Sequence, residues 1–447
     1  MTRNMICIGC PMGCELTVEV EDGKAVSVTG NTCGIGKKYA ETEVSAPVRT
    51  ITTTVLSEEG IPVPVKTKEP VPKDRITETV KCIKEASVKL PVDIGDVIIE
   101  DTAGTGVQTV ATKKVTGPVK MAEITEFTFP SSTGKNTIHA YKCLPEGKPR
   151  GVVQIAHGIT EYMGRYKGFM SFLADKGFVA VGNDHLGHGR SAETPEELGI
   201  FDEKDGWSRV LDDMDKLHDM MKEEYPDIPY IFFGHSMGSF LTRHYIILHP
   251  DKPDLAIICG TGHQARPIVM SGLGIAEAAV KMNGPRRKGE KLNDLAFGAY
   301  NKGIDNIRTD HDWLTRDTDS VDEYMADPLC GFIPCVSLFR DMLTGVSFIT
   351  DPANIARMNK ELPILFISGW KDPVGEYGAG VKRAFRAFCE AGMKHVHIKL
   401  YPNDRHELLN EIDKDDVMND ICGWIDKKLS DKAAGNENSG TDENGSI

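Results

Sequence analysis

The stretch YIFFGHSMGSF, residues 230–240, does most to limit what this chain can fold into. Its apolar and aromatic run reads as a buried strand. The run stops at Gly234-His235-Ser236-Met237-Gly238 and passes directly into SFLTRHYIILHP, which reads as a helix. Gly-x-Ser-x-Gly between a strand and a helix is the nucleophile-elbow pattern. The turn is so tight that a side chain two residues before or after the serine would collide with the neighbouring strand or helix. Gly234 and Gly238 meet that demand. Such a turn lifts the serine hydroxyl out at the C-terminal edge of a sheet, beside a helix N-terminus that favours developing negative charge. The other reading, a polar end to a buried strand, requires no partners later in the chain.

The surrounding sequence has the texture the turn needs. Short apolar strands alternate with amphipathic helices: GVVQIAHG, GRYKGFMSFLADKG, FVAVGNDH, GWSRVLDDMDKLHDMMKEEYP, then IPYIFFGHS. In the long helix Trp207, Val210, Leu211, Met214, Leu217 and Met221 recur at helical spacing and form one buried stripe. His218 falls on its polar face and reads as solvated. Continuous apolar strands separated by helices imply a mostly parallel sheet with helices on both faces, an α/β fold. A chain of 447 residues exceeds one ordinary core, so two domains are expected. The break is placed near 117–122, where Met121 opens a new strand pattern. The domains are then 1–120 and 121–431, with 432–447 a polar, disordered tail.

A serine hydroxyl is a poor nucleophile without a base. In this architecture an acid and a histidine follow the serine in that order, each in a loop after a later strand. PILFISGWKDPVG offers Asp372 at a strand end, and HVHIKLYPNDRHELLNE offers His406 after the next strand. Asp404 and Glu376 are substitute acids, less well placed than Asp372. His395 and His397 alternate within the strand and read as structural. An oxyanion needs backbone donors: the N–H of Met237, after the serine, and one from the loop after an early strand. VVQIAHGITEYMGRY ends its strand at His157-Gly158, which makes Ile159 the second donor. CGTGHQA fits the G-x-G-x-x-A dinucleotide fingerprint, but it follows the nucleophile helix. Its nearest downstream acid, Glu277, falls inside the apolar helix candidate RPIVMSGLGIAEAAVKMNG, so no nicotinamide or flavin site is expected there.

Together HGITEYMGRY, NDHLGHGRS, GHSMGS, KDPVG and RHELLNE make residues 121–431 resemble the α/β-hydrolase superfamily, in its monoglyceride lipase and lysophospholipase branch. The resemblance implies an α/β-hydrolase fold and a serine ester hydrolase with an acyl-enzyme intermediate. It implies Ser236 as nucleophile, Asp372 and His406 as its relay, Ile159 and Met237 as oxyanion donors, and no cofactor. It implies a small lipid-like or other ester substrate. It also implies a helical cap at about 263–350, in which RPIVMSGLGIAEAAVKMNG is suited either to covering an acyl pocket or to packing against the main domain. Ile159 departs from the smaller residue common in relatives and makes the pocket wall bulkier.

Residues 1–120 are different. CELTVEVEDGKAVSVTGN alternates around Asp22-Gly23, a hairpin signal, and the prolines of IPVPVKTKEPVPK demand extended chain. Four of the eleven cysteines, Cys7, Cys10, Cys14 and Cys33, fall in the first 33 residues. Thiolates at C-x2-C-x3-C spacing can converge on one metal. The other seven are scattered and read as small packed hydrophobes. CIGCPMGCELTVEVEDGKAVSVTGNTCGIG is similar to the iron–sulfur segment at the start of molybdopterin oxidoreductases, with a shorter final spacing. A four-iron cluster and a four-thiolate zinc both stay open. Through RTITTTV, PVPVKT, GDVI and GTGVQTVAT, residues 1–120 resemble a small uncharacterised domain that accompanies anaerobic glycerol-3-phosphate dehydrogenase and other FAD-dependent oxidoreductases. That resemblance implies a redox partner.

The net charge of −14 disfavours a nucleic-acid partner, and the one basic run, GPRRKGEK, reads as a solvated loop. No signal peptide and no apolar run of ~20 residues is present, so a cytosolic protein without disulfides is expected. Two functional readings result. One is the serine ester hydrolase. The other is a redox-associated or scaffold subunit in which the four-cysteine domain carries the main role.

Overall fold

The computed structural model describes residues 1–115 and 123–439, the side chains of 433–439 excepted. The chain divides into two compact units, Met1–Lys120 and Met121–Ile447. The expected break at 117–122, with Met121, lies outside the described residues. Among the described residues no helix is long and apolar enough to cross a membrane.

The N-terminal unit is mainly β. Strands Thr2–Ile6, Glu15–Glu21 and Lys24–Thr29 form an antiparallel meander. Glu15–Glu21 alternates strictly, and Leu16, Val18 and Val20 point inward against Ala40 of helix Gly34–Ser45. Asp22 and Gly23 both take positive φ (49° and 74°), the two-residue turn whose twist matches its flanking strands. The proline-rich segment is extended as expected: Pro62–Thr67 pairs with Thr52–Ser57 in a second small sheet. Val55, Val63, Val65 and Ile83 fill its core.

The second unit is built on eight strands: β1 (Ile124–Pro130), β2 (Thr137–Cys143), β3 (Val152–Ala156), β4 (Val179–Asn183), β5 (Tyr230–His235), β6 (Leu255–Cys259), β7 (Ile364–Gly369) and β8 (Val396–Tyr401). Their order is β1-β2-β4-β3-β5-β6-β7-β8. β1 and β2 join antiparallel; from β4 onward every pairing is parallel. Every residue of β3 to β7 is buried, because helices cover both faces. On one face Tyr230 and Phe232 of β5 meet α2 (Gly206–Glu224) and α3 (Met237–Leu248). On the other, Ile231 and Phe233 join the cluster of α1 (Lys167–Asp175) and α9 (Lys414–Ser439).

All six residues of the α2 stripe are buried. His218 is not solvated as expected. It lies buried, its ring 4.4 Å from that of Tyr230 and 6.2 Å from that of Phe232, because two aromatic side chains of β5 face this side of the helix. α9 continues to Ser439, past residue 431, where the sequence suggests the domain ends; residues 440–447 lie outside the described ones. Between β6 and β7 stand α4 (Arg266–Asn283), α5 (Glu290–Phe297), α6 (Thr318–Ala326) and α7 (Val336–Ile349). α8 (Ala379–Glu390) follows β7.

Leu217 is fully buried at the centre of the α2 stripe. Leu217→Ala is expected to cost about 2–5 kcal/mol of stability. Urea unfolding followed by circular dichroism measures it; an unchanged midpoint would contradict this packing.

Candidate functional site

β3, β5, β7 and β8 run parallel, so their C-terminal ends share one edge of the sheet. At the end of β5, Ser236 takes φ 54° and ψ −120°, a conformation that L residues avoid. Its N–H donates to the Cys259 carbonyl at 3.0 Å. The glycines on either side are required by contact. A Cβ on Gly238 would overlap the Ala156 carbonyl of β3, and one on Gly234 would overlap the Gly238 carbonyl and the Thr242 hydroxyl.

Asp372 and His406 meet. Asp372 Oδ1 accepts His406 Nδ1–H at 3.0 Å and the Val374 N–H at 2.9 Å, while Oδ2 accepts the Ser368 hydroxyl at 3.1 Å. Both side chains are buried. Donation from Nδ1 leaves Nε2 as the basic nitrogen of His406. The substitute acids are engaged elsewhere: Asp404 pairs with Arg316, and Glu376 with Arg383. His397 packs against Trp424, and His395 pairs with Glu361.

The candidate oxyanion amides, Ile159 and Met237, donate to no other group among the described residues. One of them has its direction fixed by a histidine. His157 Nε2 accepts the His185 N–H at 2.9 Å, so its proton sits on Nδ1, which donates to the Gly158 carbonyl at 2.7 Å. The Gly158 carbonyl and the Ile159 N–H belong to one planar peptide, so holding the first aims the second. Burial pushes the His157 pKa down to about 4, which keeps the ring neutral for this task. Gly158 lies tight against the serine: an added Cβ would stand 3.1 Å from Ser236 Cβ.

Beneath these groups lies a buried ionic cluster that the sequence reading assigned no role. Glu161 Oε1 accepts from the Gly158 N–H, the Tyr166 hydroxyl (2.8 Å) and His235 Nδ1–H (3.1 Å). Arg165 bonds Glu161 Oε2 at 3.0 Å and forks onto Glu407. His235 Nε2–H donates to the carbonyl of His406 at 3.2 Å. Two carboxylates thus face Arg165 and His235, and the charges balance only when His235 is protonated. Burial opposes that protonation, but the hydrogen bond from His235 to Glu161 and the Glu161 charge outweigh it and raise the His235 pKa. The cluster was legible only as fixed spacing: Glu161, Arg165 and Tyr166 inside HGITEYMGRY, His235 and Glu407 beside Ser236 and His406.

Ser236, His406 and Ile159 line one cavity of about 570 Å³. Its outer wall comes from α5 (Asn293, Asp294, Phe297) and the segment 301–333, including Trp313, Leu314 and Phe332. The Trp313 ring lies 5.1 Å from that of His406. α4, read as either covering an acyl pocket or packing against the main domain, contributes none of the lining residues. It packs on α7 and turns Ile268, Met270, Ile275 and Met282 to solvent.

A serine elbow, an acid–histidine pair and this strand order define an α/β hydrolase. Residues 147–413 match the Hydrolase_4 family, described as serine aminopeptidase, S33, and the chain belongs to it. Residues 35–113 match a second model, described as a protein of unknown function, DUF1667. The four N-terminal cysteines precede that match. The chain is similar to a monoacylglycerol lipase of Mycolicibacterium smegmatis, 29% identical over 284 residues, covering 63% of this chain and 90% of that protein. It is 24% identical over 301 residues to the monoglyceride lipase of Mus musculus, covering 65% and 87%. Among solved structures, a carboxyl esterase from Bacillus coagulans, in complex with glycerol, superposes with a TM-score of 0.65 at 31% identity. It spans 69% of this chain and 100% of that one.

The ionic cluster makes a pH-dependent contribution. The folded pKa of His235 lies above that of an unfolded imidazole, so its stabilisation is complete below about pH 6.5 and is lost as pH rises through the folded value. Glu161→Gln is expected to lower stability by about 3–5 kcal/mol at pH 6 and to flatten the stability profile above it. Urea midpoints measured from acid to alkaline pH test this, and an unaltered slope in the variant would refute the protonated His235.

Proposed function

We propose that this chain hydrolyses carboxylic ester bonds through Ser236, with a monoacyl lipid-like ester as substrate. The Asp372–His406 hydrogen bond (3.0 Å), buried behind the cavity that Ser236 lines, carries this reading. Ser236 Oγ attacks the ester carbonyl while His406 Nε2 takes its proton. The tetrahedral oxyanion sits on the Ile159 and Met237 amides. Its collapse, with the proton returned from His406 to the departing alcohol, leaves an acyl-enzyme. Water, deprotonated by the same histidine, then releases the acid. Asp372 holds the imidazole in its tautomer and balances the imidazolium.

The substrate class rests on two supports. Relatives matched over most of their length bear the names monoacylglycerol lipase and carboxyl esterase. An aminopeptidase must hold an α-ammonium with a carboxylate. Glu161 and Glu407, on the cavity floor, are already paired with His235 and Arg165; the other two lining carboxylates, Asp294 and Asp310, are solvent-exposed, and the wall offers Phe297, Trp313, Leu314 and Phe332 to an uncharged chain.

The test is a panel of chromogenic esters of graded acyl length, monoacylglycerols and aminoacyl anilides, with wild type and Ser236→Ala side by side. Ester turnover is expected to fall at least about 10³-fold in the variant. Undiminished turnover would remove Ser236 as nucleophile. Cleavage of anilides but not esters would reassign the substrate, and activity confined to short glycerol-free esters would remove the lipid.

A further inference from the structure

The N-terminal cysteines play no part in the ester chemistry, and the fold gathers them at one end of the three-stranded meander. Cys7, Cys10 and Cys14 lie on the loop between strands Thr2–Ile6 and Glu15–Glu21, which the Cys7 N–H closes by donating to the Cys14 carbonyl at 2.8 Å. Cys33 caps the N-terminus of helix Gly34–Ser45. Two contacts bring Cys33 to that loop from opposite sides. Cys14 Sγ lies 3.1 Å from the hydroxyl of Thr32, the residue before Cys33. Gly9 is seated on Ile35, two residues after it: an added Cβ would stand 2.7 Å from Ile35 Cγ2 and 3.6 Å from Cys7 Sγ. Gly30, at φ 84°, lets the second loop press on the Glu15 backbone beside Cys14.

The chemistry of the surroundings suits thiolates. Residues 7–14 and 30–36 contain no charged side chain. The free amides that begin helix Gly34–Ser45 favour negative charge on Cys33. Ile6, Ile8, Met12 and Ile35 are large apolar side chains left exposed along the two loops. Such a collar limits water around a metal site.

We propose that Cys7, Cys10, Cys14 and Cys33 together hold a thiophilic metal centre. Each thiol gives up its proton on ligation. A single zinc with bonds of about 2.3 Å needs its sulfurs about 3.8 Å apart. Among the described residues no three of these sulfur atoms lie within 4.8 Å of one another. A single ion therefore requires the loops to draw inward, whereas an iron–sulfur cluster accepts more widely spaced thiolates. Metal analysis separates the two.

The full chain, purified without oxygen, is analysed for iron, acid-labile sulfide and zinc, and its visible spectrum recorded. Bound metal is expected; iron with matching sulfide and a brown absorption would assign it to a cluster. Stoichiometric zinc without iron would support the site and assign it to the single ion. Cys10 and Cys33 are half-buried and exposed, so Cys10→Ser and Cys33→Ser leave the core intact; each should lower bound metal at least fivefold. Cys82→Ser, a half-buried cysteine of helix Ile76–Glu85, should keep it. In wild type the four thiols should resist alkylation until a chelator is added, a readout that needs no variant. No bound metal after anaerobic purification and reconstitution, or metal retained in both loop variants, would overturn the proposal.

Discussion

Helix α3 approaches β3 so closely that Gly238 rests on the carbonyls of Ala156 and His157. That contact sets most of the site. It leaves no room for a side chain, and it forces the strain at Ser236. It also brings Met237, next to Ser236, close to the strand end that leads into the loop carrying Ile159. The geometry costs backbone strain of order 1–3 kcal/mol, which the buried strands on either side must over-determine. Gly158 and Gly260 extend the same logic. The first lies against Ser236 Cβ, and a Cβ on the second would stand 3.1 Å from His406 Cε1. Small residues stand where the proposed chemistry needs free space.

The ionic cluster of Glu161, Arg165, His235 and Glu407 ties the three loops together. Glu161 holds the Gly158 amide, His235 is chain neighbour to Ser236, and its other nitrogen holds the His406 carbonyl. Glu407 follows His406 and shares Arg165 with Glu161. A buried pair of this kind gains little net stability, because desolvation offsets its attraction. Its value is positional: if one member moves, the others are left as uncompensated charges. The loops of β3, β5 and β8 therefore hold one relative arrangement.

The outer wall of the cavity is decided differently. Trp313 reaches His406 from a segment with no regular pattern, and Glu407 N–H donates to the Leu314 carbonyl at 2.7 Å. The apolar helix α4 could read as the cover for a lipid pocket or as packing for the main domain, and it packs on α7. Hydrophobicity marks a helix for burial against something; it does not say against what. His218 makes the converse point. A histidine on the polar side of a stripe reads as solvated, and the aromatic residues of β5 bury it.

Local rules were enough for what is local. The glycines around Ser236 follow from a tight strand-to-helix turn and the buried strands from continuous apolar runs; the parallel sheet places the loops bearing Ser236, Asp372 and His406 on one edge, and their order along the chain is that of the α/β-hydrolase pattern. The Asp22-Gly23 turn follows from its dipeptide. The strand-end position of Asp372 already set it ahead of Asp404 and Glu376 in the sequence; tertiary structure joined it to His406 and engaged the other two with Arg316 and Arg383. It alone assembled Glu161, Arg165, His235 and Glu407, since charged residues read as exposed until partners from distant loops compensate them. It alone seated Cys33 between Thr32 and Ile35 beside the Cys7–Cys14 loop. Spacing along a chain limits which residues can meet; which of them do is settled by the close packing of elements far apart in sequence.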